Sequence, residues 1–165
     1  MSDTKNFSAI PTRILVPIDF SPSSHEALDT AAELAERFGA QVFLVTAILE
    51  FPDRSVPDAM TEADVIERAR EVAAERFAVS EAALAARGIR VTSSVEIGND
   101  EADTILAAIE RERADLVVIT AHGLSGRYSQ AFGSVAEKLV KLVQCPLLLL
   151  RAPANDAAKR QVEWW

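Results

Sequence analysis

The hydrophobic pattern of this chain alternates between two kinds of segment. Short, nearly continuous apolar runs are followed by longer stretches in which apolar residues recur every three or four positions. The first run, Arg13-Ile-Leu-Val-Pro-Ile-Asp19, predicts a buried strand. After it, Ser21 is a candidate N-cap and Pro22 occupies the first helical position, where a missing N–H costs nothing. Leu28, Ala31, Ala32, Ala35 and Phe38 then repeat at helical spacing, and Gly39 ends that helix. Gln41 to Ala47 predicts a second strand. A loop with Pro52 and Pro57 leads to a long Ala/Glu/Arg-rich helix from Thr61 to Arg87, stopped by Gly88. Ile89 to Ile97 is a third strand, more alternating than the others and so nearer an edge. Gly98-Asn-Asp100 turns into a helix carrying Ile105, Ala108 and Ile109. Asp115 to Thr120 is a fourth strand, apolar on both faces. A glycine-rich loop, Ala121 to Phe132, precedes Gly133-Ser134, which opens a helix with Val135, Leu139, Leu142 and Val143; Pro146 to Arg151 is a fifth strand.

Strands and helices therefore alternate regularly, and the strands read as continuous apolar runs. That combination predicts an α/β fold, a doubly wound parallel sheet of five strands with helices on both faces. Residues 12–151 make one domain, and 1–11 and 152–165 read as tails. The ending Gln161-Val-Glu-Trp-Trp165 is read as a disordered end rather than an interface.

Composition narrows the partners. Of the 165 residues, 25 are Asp or Glu and 17 Lys or Arg, a net charge of −8. An acidic surface argues against nucleic acid, although a small anion needs only locally convergent backbone N–H groups. Cys145 is the one cysteine, so no internal disulfide can form. It precedes Pro146 with no histidine or basic cluster in sequence beside it, and reads as a small apolar residue rather than a nucleophile. Met1 to Ile10 lacks the apolar core of a secretory signal, and no apolar run is long enough to span a bilayer, which makes the cytoplasm the expected location and membrane insertion unexpected.

In sheets of this kind ligands bind beyond the carboxyl ends of the strands, where strand order reverses. If the first and fourth strands are neighbours, Asp19 and the loop 121–134 face one crevice. Within that loop, His122-Gly-Leu-Ser-Gly126 and Gly133-Ser134 supply glycines that let backbone N–H groups approach an anion, at the positive end of the next helix. Ser134 with Glu137 also fits a capping box, which would make Gly133-Ser134 simply a helix start. Asp19 could accept a hydrogen bond from an exocyclic amine or a ribose hydroxyl, or from its own turn. His122 and Arg127 could reach a phosphate or merely shape the loop. His25, Lys138 and Lys141 read as solvated. No phosphate-binding G-x-x-x-x-G-K-[ST] loop, nucleophile elbow or metal-spaced cluster is present, so neither catalytic residues nor a metal site are expected.

Several of these segments together resemble the universal stress protein family. They are Ile14-Leu-Val-Pro-Ile-Asp19-Phe-Ser, the Gly98 turn, Thr120-Ala-His-Gly-Leu-Ser-Gly126, Gly133-Ser-Val-Ala-Glu-Lys138 and Cys145-Pro-Leu-Leu-Leu-Leu150. The resemblance spans Thr12 to Arg151. It implies the strand order 3-2-1-4-5, a homodimer formed through the last strand (Leu147 to Arg151), and, for one subgroup, binding of ATP or AMP with Mg2+ through G-x2-G-x9-G-[ST]. In this chain Gly123, Gly133 and Ser134 hold the later motif positions and Thr120 holds the first. By the same resemblance Pro17, Ile18 and Asp19 border the adenine, Ala47 and Ile119 lie near base and ribose, and His122, Gly123, Gly133, Ser134 and Val135 surround the phosphates.

Three functions follow as expectations. The first is a dimeric stress-response sensor or regulator that binds an adenine nucleotide and acts on a protein partner not identified by the sequence. The second, motivated by Thr120, is a nucleotide-free interaction module. The third, with the least support, is a slow ATPase; the chain otherwise reads as no enzyme.

Overall fold

The computed structural model describes residues 10–50, 61–121 and 132–151. The elements run β1 (Arg13–Pro17), α1 (Pro22–Phe38), β2 (Gln41–Leu49), α2 (Glu62–Ala86), β3 (Val91–Gly98), α3 (Glu101–Arg111), β4 (Leu116–Thr120), α4 (Ser134–Leu142) and β5 (Leu147–Leu150). All pairings are parallel and the order is β3-β2-β1-β4-β5, which is the expected doubly wound sheet with β3 at an edge.

Strand alternation sorts the core into two layers. Ile14, Val16, Val42, Leu44 and Val118 face α1 and α2, where they meet Ala27, Ala31, Phe77 and Leu84. Leu15, Phe43, Val45, Val117 and Ile119 face α3 and α4, where they meet Ile105, Ala108, Ile109 and Leu139. Because successive strand side chains point to opposite faces, an unbroken apolar run supplies both layers. Ile14, Leu15, Val16, Val117 and Val118 are fully buried, which marks β1 and β4 as the centre of the molecule.

The helices begin where the sequence indicates. Ser21 caps α1 by accepting from the Ser24 N–H, and Gly39 ends it in the left-handed region at φ 69. Thr61 and Asp64 cap α2 reciprocally. Asp100 caps α3 through the Asp103 N–H. Two helical positions expected in the core lie outside it. Phe38 and Leu142 are exposed, because each sits in the last turn of its helix, beyond the edge of the sheet it covers.

One end of the central pair is clamped. The Asp115 carboxylate accepts from the Thr12 N–H at 3.0 and 2.9 Å, from the Thr12 hydroxyl at 2.6 Å and from the Arg13 N–H at 2.8 Å. The Arg13 guanidinium lies 4.4 Å from the Phe43 ring centroid, and its Nε donates to the Glu112 carbonyl at 2.6 Å. These contacts fix the start of β1 against the start of β4.

The turn from β3 into α3 depends on close approach. A Cβ on Gly98 would collide with the Thr104 Oγ1, which donates to the Asp100 carbonyl at 2.6 Å in the first turn of α3. Gly98→Ala must push that turn outward. We expect a destabilisation of about 1–3 kcal/mol, the usual cost of overpacking, read as a lower urea midpoint with an unchanged slope.

Candidate functional site

A cavity of about 240 Å3 opens beyond the carboxyl ends of β1 and β4. Pro17, Ile18, Asp19, Ala47, Ile119, Thr120, Gly133, Ser134 and Val135 all line it. The pairing of β1 with β4 brings these distant segments together, at the point where the chain's connections diverge to either side of β1. Its apolar floor comes from Val45, Ile105, Ala136 and Leu139, residues of the layer under α3 and α4. His122 and Gly123, together with Arg127 and the Trp164-Trp165 ending, lie outside the described residues.

Asp19 takes one of the two roles weighed for it and stands where the other would be exercised. Its Oδ1 accepts the Ser21 N–H at 2.9 Å, so it shapes its own turn, and it also lines the cavity. Between the two, Phe20 adopts φ 60, a left-handed conformation uncommon outside glycine. Its ring packs 5.2 Å from that of Phe77, on the α1/α2 side. That buried contact helps hold the unusual backbone that turns the chain from the end of β1 into α1.

The opposite rim is the start of α4. The Gly133 N–H donates to the Ala121 carbonyl at 2.8 Å, and the Ala121 N–H to the Leu150 carbonyl at 2.8 Å, so α4 begins directly above β4. The expected capping box does not form. Gly133 is the N-cap, Ser134 already lies inside the helix, and the Glu137 carboxylate accepts from Lys141 at 2.6 Å. A serine one place past the N-cap cannot bond back to the third residue of the turn. Among the described residues the first-turn amides of Ser134, Val135 and Ala136 therefore have no side-chain cap, whereas α1, α2 and α3 each have one.

Two residues outside the expected site shape the electrostatics. Glu101, the first residue of α3, lines the cavity and is half-buried. Burial, then the Asp19 and Asp100 charges, push its carboxyl above the ordinary carboxylate value. Lys138, expected to be solvated, instead bridges α4 to the start of α3, 2.8 Å from Asp103 and 3.0 Å from Asp100. Hydrogen bonds first to Asp103 and then to Asp100 raise the Lys138 pKa above its ordinary value. The signal for Glu101 was available: any residue just after the third strand lies at the same carboxyl end as Asp19. Lys138 gave no such signal, because its partners are 35 and more positions away in sequence.

Cys145 is half-buried against the α3/α4 layer, as its apolar reading expects. His25 is exposed at the start of α1, its Nδ1 2.8 Å from the Ser21 carbonyl. Among the described residues no helix is long and apolar enough to cross a membrane.

The universal stress protein family model matches residues 11–151. A universal stress protein of Thermus aquaticus is 32% identical over 140 residues, covering 84% of this chain and 97% of the relative. One from Methanocaldococcus jannaschii is 26% identical over 152 residues, covering 92% and 89%. The solved universal stress protein UspA of Lactobacillus plantarum superimposes with a TM-score of 0.77 at 19% identity, covering 87% of this chain and 100% of its own. An Archaeoglobus fulgidus universal stress protein solved in complex with dAMP has a TM-score of 0.59 at 22% identity, covering 85% and 98%. A further universal stress protein, solved in complex with cAMP, has a TM-score of 0.59 at 20% identity, covering 86% and 98%. With the sheet order, the span of the family match and the likeness to the Thermus protein in agreement, this chain belongs to the universal stress protein family.

Proposed function

We propose that this protein binds an adenine nucleotide, AMP or ATP, in the cavity above β1 and β4, and that binding is the sensing step of a stress-response regulator acting as a homodimer. The observation that carries the reading is the uncapped start of α4. Ser134, Val135 and Ala136 line the cavity and form the first turn of α4, the positive end of the helix, where N–H groups lack partners within the helix. Ser134 also carries a hydroxyl, a further donor. Phosphate is the ligand group that such a rim suits, and the apolar floor below suits a base. Two relatives of the same fold were solved with dAMP and cAMP, which supports the same class of ligand here.

In this reading Gly133, Ser134 and Val135 hold the phosphates, with His122 and Gly123 from the preceding loop. Pro17, Ile18, Asp19, Ala47, Ile119 and Thr120 surround base and ribose. Mg2+ enters with the phosphates of ATP. No chemical step is required: the bound ligand ties the start of α4 to the ends of β1 and β4, and that change in the surface is what a protein partner reads.

Thr120 favours a second reading, a nucleotide-free interaction module. It stands in the family motif's first glycine position and lines the cavity. Calorimetric titration with AMP and with ATP and Mg2+ separates the two. We expect saturable heat and a melting temperature that climbs with ligand concentration. No heat and no thermal shift at millimolar ligand, together with binding gained by Thr120→Gly, would establish the second reading instead. Two variants then probe the rim. Ser134→Ala keeps the amide and loses the hydroxyl. Ser134→Pro also removes the N–H, at a first helical position that tolerates proline. Ser134→Pro should weaken AMP about tenfold beyond Ser134→Ala, the worth of one charge-assisted hydrogen bond.

The dimer reading rests on β5. It is an edge strand of four leucines, each half-buried in the single chain. The Pro146 and Leu150 carbonyls accept from β4, so by alternation the backbone groups of Leu147 and Leu149 face outward. Leu149→Pro removes an outward N–H while leaving the β4 ladder intact. Light scattering should give a dimer for the parent chain and a monomer for this variant; a parent chain that is monomeric at all concentrations refutes the pairing.

A further inference from the structure

The cavity wall carries a carboxyl group that the family motif does not account for. Glu101 stands one turn before Ile105, and both line the cavity. Because α3 packs on β2 and against α4, Glu101 shares that wall with Ala47 and Ser134. Among the described residues its carboxyl has neither a hydrogen bond nor an ion pair. The charged groups around it are Asp19 at the end of β1 and Asp100 at its own helix cap. The cation that α4 contributes, Lys138, is held by Asp100 and Asp103. On β3, Glu96 is paired with Arg111, at the far end of α3. The first-turn amides of α3 favour an ionised Glu101, but burial and two like charges oppose them and win, leaving its carboxyl above the ordinary range.

We propose that Glu101 is a specificity-determining residue that meets the hydrogen-bonding edge of the base and sets the choice between adenine and guanine, favouring adenine when protonated and guanine when ionised. The proposal rests on the nucleotide reading above. A neutral carboxyl offers one O–H donor and one carbonyl acceptor side by side. Adenine presents the complement, an exocyclic N–H beside an acceptor ring nitrogen. A carboxylate offers acceptors only, which suits the two adjacent N–H donors of guanine. Where Glu101 is ionised in the free protein, binding of adenine therefore draws a proton onto it. Since the proton must be present in the complex, adenine affinity is full at low pH and falls as pH rises through the Glu101 pKa of the free protein.

Cyclic AMP and cyclic GMP are suitable probes, because the phosphodiester keeps one charge across the range and leaves the protein to supply the titration. Calorimetry at about pH 5 and about pH 8, in buffers of differing ionisation heat, reads both affinity and proton uptake. We expect the parent chain to lose about tenfold in cyclic AMP affinity over that range, the scale of one two-bond base contact, and, at an intermediate pH where uptake peaks, to take up about half a proton on binding, as a tenfold change on one group requires. Cyclic GMP should show the opposite trend. Glu101→Gln keeps a donor and an acceptor at every pH, so it should bind cyclic AMP tightly at both, without proton uptake. Glu101→Ala should bind weakly at both. If all three proteins bind with one pH profile, base selection by Glu101 is overturned while nucleotide binding stands. If the parent chain takes neither cyclic nucleotide, nor AMP or ATP, the nucleotide reading falls and carries this one with it. Should Glu101→Ala fold poorly by circular dichroism, the parent's proton uptake and its loss in Glu101→Gln still decide the matter.

Discussion

The pairing of β1 with β4 is the contact on which the rest of the molecule depends. Five elements separate these strands along the chain, yet they sit side by side at the centre of the sheet. Their side chains reach both faces at near-zero exposure, so neither helical layer forms a core without them. The chain leaves β1 toward α1 and β2, and leaves β4 toward α4 and β5. Two strands that are neighbours but whose exits diverge leave a gap above them, and the cavity is that gap. The same burial that stabilises the fold thus creates the site, with no separate structural element devoted to it.

The surroundings of the cavity have a consistent electrostatic logic. The chain carries a net charge of −8, and Asp19, Glu101, Asp100 and Asp103 lie in or beside the site. An anion could not approach such a wall by long-range attraction. What offsets the acidic groups is local: Lys138 occupies Asp100 and Asp103, while the start of α4 offers dipoles without side-chain caps. Short-range donors of this kind act over the last turn of a helix and hardly at all beyond it. Under the nucleotide proposal, recognition depends on close fit rather than on steering.

Most of the architecture was legible because it depends on one-dimensional patterns. Continuous apolar strands, the Ser21-Pro22 start and the Gly39 stop each have a local physical cause, and each element stands where that cause puts it. The strand order needed the family resemblance, since pattern does not specify which parallel strands adjoin. The site was legible in part. Residues adjacent to strand ends, such as Asp19 and Thr120, follow directly from the topology. The capping box weighed for Ser134 as the alternative to phosphate binding does not form, because Gly133 and Ser134 both satisfy the preferences for a helix start and Gly133 takes the N-cap. Lys138 looked like any charge on a helix face, and only the approach of α3 to α4 makes it a tie between them.

The Asp115 clamp has a mechanical consequence. It joins β1 and β4 at the end opposite the cavity, with two backbone amides and a hydroxyl gathered on one carboxylate. A pair of strands riveted at one end and released into loops at the other cannot breathe symmetrically. Thermal opening must start at the mouth and die away toward the rivet, so amide hydrogen exchange along β1 should slow in that direction. The protein thus has a stiff base and a compliant lip, and a molecule entering the lip can be gripped without disturbing the base.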